Sequence, residues 1–175
     1  MADEVFDLVD AEGRVIGHAS RAQCHADPSL LHQAVHLFVF HPDGRLFLQK
    51  RSMTKRIQSG RWDTSVGGHV GLGEPAHRAL LREAREELGL QRIEPDFLHS
   101  YIWRSEVESE LVRTYRCTHR GPFELQSDEI DEGRFFTLPE VRALVGTGQL
   151  TPNLEHELGL LGILDPPGAR TAAQR

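Results

Sequence analysis

Residues 67–90 read GGHVGLGEPAHRALLREAREELGL, and the organisation of the chain follows from this stretch. From Glu74 to Leu88 the apolar residues Ala76, Ala79, Leu80, Ala84 and Leu88 recur at helical spacing, and Gly89 supplies a stop. Upstream, Gly67, Gly68, Gly71 and Gly73 let the backbone turn tightly and approach a ligand closely. On the helix, Glu83, Glu86 and Glu87 stand at i, i+3 and i+4, which brings the three carboxylates toward one side. Like charges at that spacing cost an isolated helix about 0.2–0.5 kcal/mol per pair, and a cation between them reverses the sign. Oxygen ligands of this kind suit Mg²⁺ or Mn²⁺, and Mg²⁺ is commonly shared with substrate phosphates. A glutamate-rich helix face is by itself most often just solvated. The glycine-rich loop that enters it turns the reading toward an active site.

Working outward, Val5 to Asp10 and Arg14 to His18 flank Ala11-Glu12-Gly13 and predict a hairpin. His32 to Phe40 and Arg45 to Arg51 predict a second hairpin, turned at His41-Pro42-Asp43-Gly44. Ser52 to Arg61 is a polar, basic loop leading into a strand at Trp62 to Val66 that ends in Gly67-Gly68. Beyond the helix, Phe97 to Arg104, Leu111 to Thr118 and Gly133 to Thr137 read as strands. Pro139 to Val145 and Asn153 to Leu164 read as helices. Strands mixed with a few helices imply an α/β sandwich with helices on a mixed sheet. Residues 1–165 are expected to form one domain, and 166–175 a frayed tail.

Composition narrows the function. A chain of 175 residues with 39% hydrophobic content can bury one sizeable core. A net charge of −6 argues against nucleic acid as a partner, because phosphate neutralisation needs a basic surface. No segment is apolar enough to span a bilayer, and Met1-Ala2-Asp3-Glu4 does not open an export signal, so a cytoplasmic location is expected. Cys24 and Cys117 are read as thiols rather than a disulfide or a zinc site. The sequence is compatible with a homodimer but does not fix the oligomeric state. Trp62, Tyr101 and Trp103 are candidates for stacking on a nucleobase, against the commoner role of core packing; Trp62 is the one taken forward as a substrate contact.

The spacing Gly68, five residues, Glu74, seven residues, then Arg82-Glu83-Ala84-Arg85-Glu86-Glu87-Leu88-Gly89-Leu90 resembles the Nudix box at every fixed position. The one soft position is Ala84, where the family usually carries a larger aliphatic residue. The resemblance implies an α/β/α sandwich and metal-dependent diphosphate cleavage. By it, Glu83, Glu86 and Glu87 are metal ligands, one of them able to help activate water, with the Gly67 carbonyl completing the site. Glu74 and Arg82 brace the loop and helix.

A second constellation consists of His25, His32, Trp62 to His69 and Glu108-Ser109-Glu110. It resembles the pattern of isopentenyl diphosphate isomerases in the same superfamily, and with the box the likeness spans Val5 to Thr137. It implies a second metal site from His25, His32, His69, Glu108 and Glu110, and diphosphate contacts from Arg51 and Lys55. Against isomerisation, Gly67 stands where those enzymes carry an essential cysteine, and all three box glutamates are present where theirs are typically degenerate. The leading expectation is therefore a Mg²⁺- or Mn²⁺-dependent pyrophosphohydrolase acting on a nucleoside diphosphate derivative or another small organic diphosphate. An isomerase-like enzyme and a non-catalytic binding module are the alternatives. Asp128 to Glu132 is a further acidic segment, read as a surface loop, with a part in catalysis as the alternative.

Overall fold

The computed structural model describes residues 4–164; the expected frayed tail lies outside the described residues. The elements run β1 (Val5–Val9), β2 (Val15–Ser20), α1 (Arg21–Cys24), β3 (Leu31–Phe40), β4 (Leu46–Arg51), β5 (Trp62–Asp63) and β6 (Val66–His69). There follow α2 (Ala76–Leu88), β7 (Asp96–Arg104), β8 (Ser109–Thr118), β9 (Ile130–Phe136), α3 (Leu138–Leu144) and α4 (Pro152–Leu160).

The strands form one mixed sheet built around β3. On one edge β3 pairs in parallel with β8 along its full length; on the other it meets β1, β6 and β4 in turn, all antiparallel. Nine of its ten residues are buried, which explains why Leu31–Phe40 reads as an unbroken apolar run: both faces are covered. Val35, Leu37 and Val39 point toward α2 and pack with Ala79, Leu80, Ala84 and Leu88. Phe38 points the other way and packs with Val141 of α3 and Leu154 and Leu158 of α4. Helices on both faces of a mixed sheet make an α/β/α sandwich, and Ala84, fully buried, lets α2 approach the sheet closely.

Several elements differ from expectation for identifiable reasons. The strand expected over Trp62–Val66 is two strands, because the chain changes partner from β4 to β3 at Ser65. The Ser65 hydroxyl bridges that gap, accepting from the Val39 amide (2.8 Å) and donating to the Phe47 carbonyl (2.5 Å). Gly67 and Gly68 therefore lie inside β6, opposite His36 and Val35, rather than after it. α2 starts at Ala76 because Glu74 uses its carboxylate on the Gly71 amide and Arg82 instead of entering the helix. β9 begins at Ile130, so Asp131 and Glu132 belong to a strand paired with β4 and not to a loop. α4 ends at Leu160, and Gly162 at φ 66° turns the chain away before Leu164. The short α1, held by a capping box between Ser20 and Gln23, was not anticipated. Cys24 and Cys117 lie in different core clusters and are not bonded to each other. Among the described residues no helix is long and apolar enough to cross a membrane.

Candidate active site

β6 carries the site, with one cluster on each of its faces. Side chains alternate along a strand, so Gly68 faces α2 and His69 the opposite side. A Cβ at residue 68 would lie 2.1 Å from Glu83 Cδ; only glycine lets the helix carboxylate come this close. Gly68→Ala is accordingly expected to push Glu83 aside and lower turnover by about 100-fold, the scale on which an ångström of misplacement is felt. Steady-state kinetics beside a thermal melt will separate that loss from unfolding.

On the α2 face, Glu87 is buried and its Oε2 accepts from the Gly67 amide (3.2 Å) and from Gln49 Nε2 (3.0 Å). Burial, reinforced by the charge of Glu83, pushes its carboxyl up to about 8. Burial also raises Glu83, against the pull of Arg82. A buried carboxylate beside a partly buried one, both raised by desolvation, would be relieved by a cation between them, so the residues fit a hard divalent ion. Glu86 is half exposed at the rim. Arg82 grips Glu74 through two bonds of 3.0 and 2.9 Å, donates to Glu83 (2.7 Å) and Glu86 (3.3 Å), and holds the His69 carbonyl (3.1 Å). It thus ties the glycine loop, β6 and the helix into one unit.

Glu83, Glu86 and Glu87 line a cavity of about 250 Å³, and Arg51, Lys55 and Arg21 line it too. Arg51 pairs with Asp63 (3.0 Å), Lys55 with Glu129, and Arg21 with Glu4 (2.8 Å). Burial, then the proximity of Arg51 and Arg21, lowers the Lys55 pKa, the signature of cations gathered in one place. Sequence reasoning missed Arg21 and Gln49: no spacing links them to the box, and only α1 and the β4–β5 pairing bring them in. Trp62 does not join this cavity. Its ring packs edge-on against Phe136 at 4.8 Å in the core under α3 and α4, which corrects its assignment as a substrate contact. Tyr101 and Trp103 lie on β7, half-buried against His156 of α4, and are likewise absent from the cavity wall.

On the opposite face, ligand atoms of His25, His32, His69 and Glu108 all fall within 4.8 Å of one another. His25 Nε2 and Glu108 Oε2 are 2.8 Å apart without hydrogen-bond geometry, and both atoms, like His32 Nε2, are buried without a hydrogen-bond partner. Glu110 joins at 3.3 Å from His69 Nε2 and 4.0 Å from His32 Nε2. Burial opposes charge on both members of the His69–Glu110 pair, yet the facing charges hold His69 above its ordinary range and Glu110 below. Phe6 stacks on His32 (5.2 Å) and His69 (4.7 Å) and closes the cluster from one side. Buried, orphaned nitrogens converging with a carboxylate fit a metal that accepts imidazole.

A mixed sheet between helices, with an acidic helix entered through glycines, is the architecture of the Nudix hydrolases. The chain belongs to the Nudix family: the NUDIX domain matches residues 30–155. It is 32% identical over 154 residues to a Nudix hydrolase of Streptomyces coelicolor, covering 87% of this chain and 84% of that one. It is also 32% identical over 147 residues to an isopentenyl-diphosphate Delta-isomerase of Photorhabdus laumondii, covering 82% of each. A crystal structure of a Deinococcus radiodurans protein superposes with a TM-score of 0.77 at 25% identity, over 90% of this chain and 98% of that one.

Proposed function

We propose that the chain is a metal-dependent hydrolase that cleaves the diphosphate linkage of a nucleoside diphosphate derivative or another small organic diphosphate. One observation carries this reading: three helix carboxylates line the same cavity of about 250 Å³ as Arg21, Arg51, Lys55 and Arg82. Glu83, Glu86 and Glu87, with the Gly67 carbonyl, would hold Mg²⁺ or Mn²⁺. When bound, such an ion neutralises the diphosphate and lowers the pKa of an attacking water. Arg51, Lys55 and Arg21 bind the phosphoryl oxygens, and Arg82 with Glu74 keeps Glu83 and the glycine loop in register. Water adds at one phosphorus as the bridging P–O bond breaks, leaving two phosphorylated products and needing no covalent enzyme intermediate.

The second reading, isomerase-like chemistry, is favoured by the assembled His25–His32–His69–Glu108 cluster and by the isomerase relative. Gly67 opposes it: glycine has no side chain to move a proton, and a Cβ there would press to 3.2 Å of the His36 ring. We read the histidine cluster as a second metal site that supports the hydrolase from the other face of β6.

The test is phosphate or pyrophosphate release with Mg²⁺ and with Mn²⁺ across nucleotide sugars, dinucleotides, nucleoside triphosphates, coenzyme A and isoprenoid diphosphates. Metal-dependent release from one class names the substrate. Silence across the panel, with isopentenyl diphosphate converted to its allylic isomer, contradicts the proposal.

A further inference from the structure

Each cation of the cavity has a carboxylate partner, and the partners differ in kind. Asp63, which holds Arg51, lies outside the cavity wall and also accepts from the Thr64 amide and the Thr151 hydroxyl. Glu4, which holds Arg21, also lines the cavity but is exposed. Glu129, which holds Lys55, is half-buried within the wall, on the same cavity as Glu83, Glu86 and Glu87. The backbone on either side of this pair is fixed without it. The Ser52 amide donates to the Glu129 carbonyl (2.9 Å), the Met53 amide to Asp131 Oδ2 (3.0 Å), and the Gln126 amide to the Glu87 carbonyl (3.0 Å). The Lys55–Glu129 bond is therefore not what closes the two loops together.

We propose that Glu129 is a built-in competitor for Lys55, a carboxylate that occupies the ammonium in the ligand-free site and must be displaced when a diphosphate binds. The inference rests on the reading of this cavity as a diphosphate site. An entering diphosphate takes Lys55 away from Glu129 and sets its own charge beside a carboxylate that shares the cavity wall with Glu4, Glu83, Glu86 and Glu87. A ligand dense in charge, accompanied by its metal, gains more than that exchange costs. The exchange lowers the affinity of any phosphate that takes Lys55, so Glu129 helps Lys55 let go of a cleaved product. Glu129 is thus a positioning residue that sets ligand affinity through Lys55.

The ordinary expectation for a polar residue in a binding site is that removing it weakens binding; here the sign is opposite. Binding of methylenediphosphonate, which cannot be hydrolysed, and of inorganic phosphate is measured by calorimetry with Mg²⁺ on the full chain. Glu129→Gln is expected to bind both about five- to tenfold more tightly, the size of one charge-assisted contact that no longer has to be broken. Glu129→Ala, which offers Lys55 no hydrogen bond, should tighten at least as much. In a Lys55→Met background the Glu129 substitution should add nothing, because the two act as one pair. Unchanged or weaker binding by both Glu129 variants overturns the proposal, as does tightening that persists without Lys55. Wild-type protein that shows no metal-dependent binding of the diphosphonate contradicts the diphosphate site itself, a failure separable from the first.

Discussion

Replacing Glu87 with glutamine is expected to lower turnover by about 100-fold or more while raising the thermal stability of the metal-free protein. The loss follows from removing one charge of a preorganised cluster, where a single stabilising group is worth about 10²–10³ in rate. The gain follows from linkage. The carboxyl of Glu87 is raised from 4.5 to about 8 in the fold, so between those values the folded protein binds more protons than the unfolded chain. Its contribution to stability therefore falls as pH rises through that window. Glutamine keeps an oxygen to accept from the Gly67 amide and Gln49, yet carries no charge to bury. Melting curves in a chelator above pH 8 will show the variant more stable than the parent, and added Mg²⁺ will raise only the parent. A variant that melts lower than the parent under those conditions would show that the buried carboxylate is not the strained group described here.

The largest loss of stability is expected away from the cavity, at the buried pair of His36 and Glu157. Their contact of 2.8 Å joins β3 to α4, and Thr114 donates to the other carboxylate oxygen. Glu157 is fully buried, so Glu157→Ala leaves an unpaired cation and an unsatisfied hydroxyl, a change worth about 3–5 kcal/mol. Burial opposes charge on His36, but Glu157 outweighs it and lifts the imidazole from 6.5 to about 9. The pair's contribution is then complete below 6.5 and is lost as pH rises through about 9. Urea midpoints on either side of that window will fall for the parent and stay nearly level, at a lower value, for Glu157→Ala. Replacing both residues with apolar ones of similar size should recover most of the loss.

What the sequence made legible and what it hid can be traced to particular residues. The turn at His41-Pro42-Asp43-Gly44 and the stop at Gly89 are local signals, and the elements they bound lie within about a residue or two of their expected limits. The change of partner at Ser65 is not local. It depends on a hydroxyl reaching two other strands, and no periodicity in residues 62–69 announces it. The acidic run at Asp128–Glu132 looks like a loop by composition, yet β4 pairs with half of it. In the site, the box glutamates share a helix and their common face could be read directly. Arg21 and Gln49 reach the same cavity from α1 and β4, and only the fold brings them there. Trp62 shows the reverse error: an aromatic beside a basic loop invites a stacking role, but its strand turns the ring into the core. His36 and Glu157 are 121 residues apart, and nothing in either neighbourhood predicts that they meet.

Whether this site breaks a P–O–P linkage is decided by ³¹P NMR of an organic diphosphate incubated with the protein and Mg²⁺ or Mn²⁺. Loss of the coupled diphosphate signals and growth of uncoupled monophosphate signals are expected, dependent on the metal and absent with Glu87→Gln. Diphosphate signals that stay intact for every substrate of the panel, isopentenyl diphosphate included, while the double bond of that last substrate shifts to the allylic position, would contradict it.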